Sequence, residues 1–418
     1  NGMSDLMSKN AAVVGAGISG LHACYLLEQQ GYRVDLFERS DKIGGRMSSV
    51  RKSGFILDRG FHVMQTGYPI ASEIIDYEAM GCKAFEPGAL IIASTPTKRK
   101  IWRFSDPFRR PIKGLFGVFN LFTSPLNLLR VGIMRLNISR TKDDELFSEG
   151  SQTTIDYLRS KGFSEPFIQR FFRPLFGGIF LESELRTDSR MFKFVFKNMS
   201  RGNMVLPENG ISDCPNQLFQ RLESTNLKLN ADAEVVSENG LLVDGEQHSY
   251  DVIIQAFDSE QSQITRDVWT LYFAAPESPL KEKYIMLNSD INEENALISH
   301  LAVPSDLQPT YAPENQSLIA VTVVGEDARK QSLTDKKAVE NSVIAELTKW
   351  FPEKISTWRT LDVQYIQSAL PELPLSHYDN LDTISNTDRC GDHTYHGSVE
   401  GALISAQLAV SRVLKNDA

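Results

Sequence analysis

Cysteine is scarce in this sequence, and its arrangement excludes two kinds of site. The 418 residues contain four cysteines, which are far apart and form no CxxC pair: Cys24, Cys82, Cys214 and Cys390. Zinc sites and disulfide frameworks need closely or regularly spaced cysteines, so neither is predicted and no bound metal is expected. Scattered cysteines are typical of a reducing compartment, which favours a cytoplasmic location.

Long apolar runs and an excess of positive charge are also lacking. No run of 18 apolar residues occurs, so no membrane span is predicted, and the first ten residues lack the basic and apolar parts of a secretion signal. The net charge of −9 argues against a nucleic-acid partner, because binding phosphate backbones requires a basic face. With 41% hydrophobic residues, the composition is that of a globular protein of two or three domains.

Residues 11–38 carry the clearest pattern in the chain. An apolar run over Ala11–Val14 predicts a buried strand, and a helix follows it to about Gln30. A second strand, Tyr32–Phe37, ends at Glu38, at nearly the spacing by which a dinucleotide-binding fold presents an acid to a ribose. The turn between the first strand and the helix consists of Gly15, Ala16, Gly17, Ile18, Ser19 and Gly20.

The glycines of this turn suit the binding of a diphosphate. Gly15 permits the tight turn, Gly17 lets the backbone approach the phosphates at the helix N-terminus, and Gly20 lets the helix pack on the strand. Glu38 accepts a hydrogen bond from a ribose 2'-hydroxyl and repels a 2'-phosphate, although Arg39 follows it. Glycine turns also serve plain helix packing, so the strand, helix and acid together favour an AMP-like ligand.

The loop Gly44-Gly45-Arg46 distinguishes between cofactors. It brings more backbone and a guanidinium, which can bind phosphate oxygens bidentately, towards the predicted diphosphate. Here the chain resembles the FAD-binding amine oxidase and phytoene desaturase superfamily, whose glycine turn and acid are followed by a GGRxxS/T loop. The resemblance implies FAD as the cofactor.

A segment similar to the D-x-G segment of that superfamily follows. A short strand ending at Asp58 precedes Gly60, Phe61 and His62, and the resemblance implies that these three residues lie against the flavin. Two interpretations of His62 stay open: it contacts the isoalloxazine or the substrate, or it is a structural histidine with satisfied hydrogen bonds.

The C-terminal part carries a second motif, CGDHTYHGSVEGALIS over residues 390–405. It resembles the "GD…S-x-E-G-A-x-x-S" ending of carotenoid desaturases and amine oxidases. In that family the aspartate matching Asp392, after Gly391, bonds the ribitol, and the amide matching Val399 faces the flavin pyrimidine at a helix N-terminus. The helix dipole there stabilises negative charge on the reduced flavin. A valine matching Val235 holds the adenine through its backbone.

Two positions of this motif bear on the substrate and on the attachment of the flavin. Monoamine-type oxidases have a cage tyrosine two residues before the acid, whereas this chain has Ser398 before Glu400, as desaturases commonly do. Cys390 occupies the small position of the "xGD" strand and not the earlier loop of a covalent flavin cysteine. The resemblance therefore implies noncovalent FAD and favours an apolar substrate over an amine.

The resemblance implies an α/β fold of two domains, similar to p-hydroxybenzoate hydroxylase and the amine oxidases. A discontinuous, Rossmann-type FAD-binding domain is predicted over residues 10–69, 205–262 and 380–415. A substrate-binding domain with an antiparallel sheet and helices is predicted over residues 70–204 and 263–379.

Several individual elements are predicted as well. Residues 154–197 are expected to be helical, with a break at Pro174 and Gly177-Gly178. A strand over 227–236, a hairpin turn at Asn239-Gly240, a buried strand over Tyr250–Ala256 and a helix over Lys336–Trp350 follow.

Residues 98–140 form a basic and aromatic segment, for which we expect a helical lobe. The segment carries ten basic residues and one acid, a net charge of +9, so the rest of the chain carries −18. Two interpretations stay open. The segment contacts an anionic membrane peripherally, or it covers the substrate site while its basic residues are solvated or pair with the acidic remainder.

Three functions follow from the sequence and its resemblance. The favoured one is an FAD-dependent oxidoreductase that transfers a hydride from a substrate C–H bond to flavin and desaturates an apolar or terpenoid-like small molecule. One alternative is an amine or amino acid oxidase that uses oxygen. The other is an isomerase or mutase without net redox change. Because the flavin carries the chemistry, no catalytic side chain beyond the candidate His62 is identified.

Overall fold

The structure is a computed structural model that describes residues 9–94, 99–110, 124–258, 264–381 and 388–416. Its strands are β1 Asn10–Val14, β2 Arg33–Phe37, β3 Ser49–Lys52, β4 Phe55–Asp58, β5 Met64–Gln65, β6 Lys83–Ala84, β7 Gly88–Ser94, β8 Arg99–Ser105, β9 Met204–Leu206, β10 Asn226–Lys228, β11 Ala233–Val235, β12 Gly240–Val243, β13 Glu246–Ser249, β14 Val252–Gln255, β15 Thr265–Ala275, β16 Met286–Asn288, β17 His300–Ala302, β18 Ser317–Val324 and β19 Arg359–Pro371. Its α-helices are α1 Ile18–Gln29, α2 Pro69–Ile74, α3 Pro125–Arg140, α4 Asp143–Phe147, α5 Thr154–Ser160, α6 Glu165–Phe167, α7 Arg173–Phe180, α8 Ser189–Arg201, α9 Asp213–Gln220, α10 Pro304–Leu307, α11 Gly325–Lys330, α12 Lys336–Trp350, α13 Leu375–Tyr378 and α14 Val399–Asn416.

A parallel four-stranded sheet, in the order β10-β2-β1-β14, forms the nucleotide-binding half of the fold. β1 lies inside this sheet because its residues Ala11–Val14 are apolar and buried on both faces. The first long helix, α1, and the last, α14, pack against each other beside this sheet. The predicted Rossmann-type α/β fold is confirmed. The domain boundaries stay a prediction, and the boundary between residues 262 and 263 lies outside the described residues.

A three-stranded antiparallel sheet, β11-β12-β13, connects β10 to β14. The predicted hairpin at Asn239-Gly240 is confirmed, since it joins β11 to β12. The prediction of one strand over 227–236 is wrong. The backbone of Asn230 is left-handed, with φ of 52°, and this turn separates β10 in the parallel sheet from β11 in the antiparallel one.

A mixed seven-stranded sheet, in the order β19-β15-β18-β17-β16-β7-β8, forms the second half. Its pairs are antiparallel except β16 with β7, which is parallel and which the sequence analysis did not predict. Helix α12 covers one face, where Val339, Val343 and Leu347 pack against the sheet. The predicted helix over Lys336–Trp350 is confirmed with the same bounds.

The prediction of a helical lobe over 98–140 is wrong for its first part. β8 pairs along its whole length with β7, because Trp102 and Phe104 lie on a half-buried face while Ile101 and Arg103 stay exposed, which suits an edge strand. Among the described residues of the segment, α3 is its long helix. Residues 98 and 111–123 lie outside the described residues.

A phenylalanine-rich cluster joins helices α3 to α8, with Phe167, Phe172, Phe176 and Phe192 at its centre. The predicted break at Pro174 and Gly177-Gly178 is misplaced. The chain is helical from Glu165 to Phe180 without a break: a π-helical stretch over Ile168–Phe172 runs directly into α7 and accommodates Pro174, and both glycines lie inside α7. The helix ends instead at Leu181, whose φ is 52°. None of the helices in the described ranges has the length and apolarity that crossing a membrane requires.

Candidate active site

The glycine turn after β1 is packed so closely that larger residues do not fit. A Cβ atom on Gly20 would lie 1.9 Å from the carbonyl oxygen of Gly15, so α1 packs directly on the turn. A Cβ on Gly17 would meet nothing within 4 Å, which leaves this part of the backbone open to a ligand. Ile18 and Ser19 are buried and begin α1. The turn therefore has the open backbone and the helix N-terminus that bind a diphosphate.

Glu38 lies at this turn, as the spacing predicts. Its Oε2 accepts a hydrogen bond from the amide of Ala16 at 2.9 Å and its Oε1 from the amide of Ser40 at 2.9 Å. A carboxylate has about four acceptor positions, so room remains for a ribose hydroxyl. Arg39 is exposed at the surface beside it.

The Gly44-Gly45-Arg46 loop packs on the turn. The amide of Gly44 donates to the carbonyl oxygen of Ala16 at 2.8 Å, and a Cβ on Gly45 would lie 3.6 Å from Cα of Gly17. Gly45 also has a φ of 58°, which a side chain disfavours. The backbone of this loop therefore approaches the open face of the turn.

Arg46 connects this loop to the C-terminal motif. Its guanidinium forms a 2.6 Å ion pair with Asp392 and donates to the carbonyl oxygen of Ala369 at 3.0 Å. The Arg46 side chain is 43% exposed, so N–H groups remain for a second anion. The carboxylate of Asp392 raises the pKa of Arg46 further above its ordinary value.

The strand position before Asp392 is also fixed to the first helix. The hydroxyl of Ser19 donates to Sγ of Cys390 at 3.3 Å, and the amide of Gly391 donates to the hydroxyl of Ser405 at 2.8 Å. Gly391 has a φ of 135°, which explains why glycine occupies it. Burial raises the pKa of Cys390 to about 12, so its thiol is unreactive, as expected for noncovalent FAD.

The last helix begins beside these residues. Ser398 caps α14, because its hydroxyl accepts a hydrogen bond from the amide of Gly401 at 3.0 Å. Val399 is the first residue of the helix, and the first amides of a helix have no partner within it. The carboxylate of Glu400 accepts hydrogen bonds at 2.8 Å from the amides of Ile70 and Ala71, which connects α14 to α2.

The segment after β4 lies between this nucleotide half and the seven-stranded sheet. The amide of Gly60 donates to Oε1 of Gln364 at 2.8 Å, and the ring centroid of Phe61 lies 6.1 Å from that of His300. Nε2 of His62 is buried and has no hydrogen-bond partner among the described residues. Burial and the charge of Arg46 lower the pKa of His62 to about 4, so its imidazole is neutral near pH 7. The role of His62 stays a prediction, and its buried Nε2 without a partner is the observation that supports a contact with a ligand.

Sequence reasoning did not select Gln364 or His300. Neither belongs to a local motif, and their positions beside Gly60 and Phe61 follow from long-range strand pairing. Val235 ends β11 and packs in the cluster that contains Val14 and Phe37, on the side of the parallel sheet next to Glu38.

An apolar cavity lies between the helices and strands β7 and β8. It has a volume of about 150 Å³, and rings of Phe104, Phe167, Phe171 and Phe176 line it. Its two carboxylates are already paired: Asp106 with Arg135 at 2.8 Å, and Glu86 with Arg110 at 3.2 Å. The cavity therefore favours an apolar ligand over a charged one.

The chemistry of these residues fits FAD. The open backbone at Gly17 and the free donors of Arg46 suit a diphosphate, and the unpartnered Nε2 of His62 indicates a ligand beside the Gly60 segment. The ends of the chain contribute to one site, through Arg46 and Asp392.

Comparisons with known proteins agree with this geometry. Protoporphyrinogen oxidase 2 of Arabidopsis thaliana is 25% identical over 191 residues, which is 46% of this chain and 36% of that protein. A 4,4'-diapophytoene desaturase of Staphylococcus haemolyticus is 49% identical over 49 residues, 12% of this chain and 10% of that protein. The chain thus matches at most about a third of the length of these relatives.

A solved structure, that of cyclohexylamine oxidase from Brevibacterium oxydans, matches with a TM-score of 0.71 over 98% of this chain and 99% of that one. Its sequence identity of 14% means that this likeness shows the fold alone. The family model for flavin containing amine oxidoreductases matches residues 18–414. Because that match spans nearly the whole chain, the protein belongs to the flavin-containing amine oxidoreductase family.

Proposed function

We propose that the enzyme dehydrogenates an apolar or terpenoid-like substrate: a hydride would leave one C–H bond for bound FAD, a proton would leave the neighbouring atom for solvent, and a double bond would form between the two atoms. The aromatic cavity carries this proposal, because it is lined by phenylalanine rings and its carboxylates, Asp106 and Glu86, are paired with arginines. The short match to a diapophytoene desaturase and Ser398 in place of a cage tyrosine support it.

FAD supplies the two-electron acceptor, and the residues of this chain would bind and orient it. The turn and loop backbones, with Arg46, would hold the diphosphate, Glu38 the ribose of the AMP half, and Asp392 the ribitol. The N-terminus of α14 at Val399 would stabilise negative charge on the reduced ring through its dipole. We assign the cofactor contacts to Gly15, Ala16, Gly17, Ile18, Ser19, Gly20, Glu38, Arg39, Gly44, Gly45, Arg46, Gly60, Phe61, His62, Val235, Gly391, Asp392, Ser398 and Val399.

Anaerobic bleaching of the bound flavin tests the proposed reaction. Purified, FAD-loaded protein is mixed with polyprenoids, such as squalene and farnesol, and separately with amines, such as putrescine and cyclohexylamine. We expect the loss of flavin absorbance near 450 nm to be at least about tenfold faster with a polyprenoid than with any amine. Faster bleaching by an amine, with peroxide formed in air, would make the protein an amine oxidase instead.

The isomerase or mutase alternative makes a different prediction in the same assay. Such an enzyme needs reduced FAD for turnover but consumes no reductant, so product would accumulate while the flavin stays bleached. No observation on the structure favours this alternative, and stoichiometric consumption of an electron acceptor would exclude it.

We further propose that α3 rests on an anionic membrane surface. One side of this helix exposes a stripe of large apolar residues at helical spacing, each about half exposed or more: Leu126, Leu129, Ile133 and Leu136. The segment's net charge of +9 complements anionic lipid. Leu128 and Val131 on the same helix line the aromatic cavity, so a substrate dissolved in lipid would have a short path to it.

The alternative is that the basic residues of 98–140 pair with acidic residues in the rest of the chain. This is the case for part of the segment. Arg103 pairs with Glu282 and Arg110 with Glu86, which leaves the helix stripe as the main support for membrane contact. Flotation with vesicles that contain about 30% phosphatidylserine tests it. Ile133→Ser should reduce the bound fraction several-fold, whereas Ile264→Ser, at a more exposed isoleucine elsewhere, should not. Equal flotation of both variants would refute membrane contact through α3.

A further inference from the structure

Four polar residues form a row across the seven-stranded sheet. Gln364 on β19 pairs with Thr270 on β15, Thr270 with Thr322 on β18, and Thr322 with His300 on β17. Side chains at paired positions of antiparallel strands point to the same face, so the four side chains lie side by side. The neighbouring residues of β15 on the opposite face, Trp269 and Leu271, pack against α12, so the row faces away from that helix.

The two hydroxyls in the middle of the row are buried without a partner. Thr270 is 0% and Thr322 is 2% exposed, and in the part of the chain that the structure describes neither Oγ1 atom finds a hydrogen bond. An unpaired buried hydroxyl destabilises the folded protein, and valine would avoid this cost at nearly the same size. Two such groups side by side indicate that a ligand or an ordered water satisfies them.

The row faces the segment that would lie against the flavin. Gln364 accepts the hydrogen bond from the amide of Gly60, and a Cβ on Gly60 would lie 3.8 Å from Oγ1 of Thr270. At the other end, His300 lies against Phe61. A Cβ on Gly178 would be 2.7 Å from Nδ1 of His300, so the absence of a side chain there leaves room for the imidazole.

The row is also next to the aromatic cavity. Phe176, two residues before Gly178 in α7, lines that cavity, and so does Met204, which packs in the same apolar cluster as Phe61. A ligand with an apolar body in the cavity would therefore have its end near His300, at one end of the row.

The chemistry of the row selects a neutral group. It consists of an amide, two hydroxyls and an imidazole, which both donate and accept hydrogen bonds but carry no charge near pH 7. Burial lowers the pKa of His300 to about 4, so its imidazole is neutral near pH 7. The carboxylate of Asp362 lies at the opposite end of the row, where it accepts a hydrogen bond from Nε2 of Gln364 at 3.2 Å.

We propose that Thr270, Thr322 and His300 bind a neutral hydrogen-bonding group, a hydroxyl or a carbonyl, of an otherwise apolar substrate. This inference rests on the proposed function and narrows it: the substrate is an oxygen-bearing molecule and not a pure hydrocarbon or an amine. The three side chains set specificity, since the hydrogen bonds they offer are made by such a substrate and not by its hydrocarbon counterpart.

Matched probes test the proposal on the FAD-loaded protein. Farnesol, farnesene and farnesylamine share one apolar chain and differ in the terminal group, and their binding to the oxidised enzyme is measured anaerobically from the change in the flavin spectrum. We expect farnesol to bind about tenfold more tightly than either of the others, the scale of one hydrogen bond to an otherwise unpaired buried group. The variant with Thr270→Val and Thr322→Val should lose this preference while its affinity for farnesene is unchanged.

A third buried threonine, outside the row, serves as the control. The hydroxyl of Thr187 donates to Glu182 at 2.6 Å and accepts from Arg266 at 2.8 Å. Thr187→Val should therefore lower the melting temperature without changing the preference for farnesol, whereas the two row substitutions should not lower it. Equal binding of farnesol and farnesene, or an unchanged preference in the row variant, would show that the hydroxyls hold ordered water only and would overturn the proposal. Failure of the proposed function would instead appear as the absence of flavin bleaching by any polyprenoid.

Discussion

Replacing Asp58 with asparagine should make the protein relatively more stable as the pH rises. Oδ1 of Asp58 accepts hydrogen bonds from Ser49 at 2.7 Å and from the amide of Ile211 at 2.9 Å, while Oδ2 accepts one from Tyr311 at 3.2 Å. An asparagine can keep the first two bonds and donate to the tyrosine hydroxyl. The substitution therefore removes a buried charge and largely preserves the geometry, and any cost of rearranged hydrogen bonds is constant with pH.

The magnitude follows from the pKa of this carboxyl. Burial raises the pKa of Asp58 from 3.8 to about 6. Between these two values the unfolded state is ionised while the folded state holds its proton, so the wild-type protein loses stability as the pH rises from about 4 to about 6. Two pKa units correspond to about 3 kcal/mol. For 418 residues that unfold with roughly 2.1 cal/mol/K each, this amounts to about 3 °C in melting temperature.

The assay is a comparison of melting temperatures between pH 4.5 and pH 7.5 for the wild type and Asp58→Asn, both without added FAD. The difference between the two proteins should grow by about 2 °C in favour of the variant across this range, because about a third of the full effect already develops below pH 4.5. A constant difference across the range would refute the argument that the folded state carries this desolvated charge. Other groups that titrate affect both proteins equally and cancel in the comparison.

Three further predictions address the cofactor site. Gly20→Ala should destabilise the apoprotein by several kcal/mol, because its Cβ would clash with the carbonyl oxygen of Gly15. Gly17→Ala should leave the melting temperature of the apoprotein unchanged but weaken FAD binding at least about tenfold. Equal melting temperatures of the two variants would contradict this. Native Cys390, with its pKa raised to about 12, should resist iodoacetamide at pH 8 and react after denaturation, as followed by peptide mass spectrometry; rapid labelling of the native protein would show that the thiol is not buried. Ser398→Ala should cost about 1 kcal/mol of stability through the lost cap of α14, measured by thermal unfolding, and Ser398→Thr should retain most of it.

The nucleotide half could be predicted from the sequence because its signals are local. A buried strand, a glycine turn and a helix follow each other within about twenty residues. The signals for the helix over Lys336–Trp350 are also local, since the side chain of the capping residue Asp335 accepts a hydrogen bond from the amide of Ala338. In these cases the residues that determine the structure are neighbours in the chain. Packing against the rest of the protein then adds to a preference that the local sequence already has.

The row of polar side chains could not be predicted in this way. Thr270 and His300 are neighbours of Thr322 only through the register of three strands, and a shift of one residue in either pair would turn the side chains to opposite faces. The error at Arg99–Ser105 has the same origin, since its pairing with β7 decides the structure of a segment whose basic and aromatic composition is ambiguous. The sequence predicts a helix break at the two glycines in α7, whereas these glycines lie within the helix because of close packing against Glu182 and His300.

The contacts at the C-terminal motif imply that cofactor binding and folding of the last helix are coupled. Asp392 would bind the cofactor and also forms an ion pair with Arg46. Cys390 accepts a hydrogen bond from Ser19, and the carboxylate of Glu400 accepts hydrogen bonds from the first amides of α2. Each of these bonds joins a residue near the end of the chain to one near its beginning, so α14 cannot leave without exposing the glycine turn. A ligand that binds across this junction stabilises the folded form over the form with α14 detached, by about 2.7 kcal/mol when its free concentration is a hundredfold above its dissociation constant. The two ends of the chain would therefore act as one cooperative unit when FAD is bound, and this unit also contacts the seven-stranded sheet, through Gly60, Phe61 and the bond from Arg46 to Ala369.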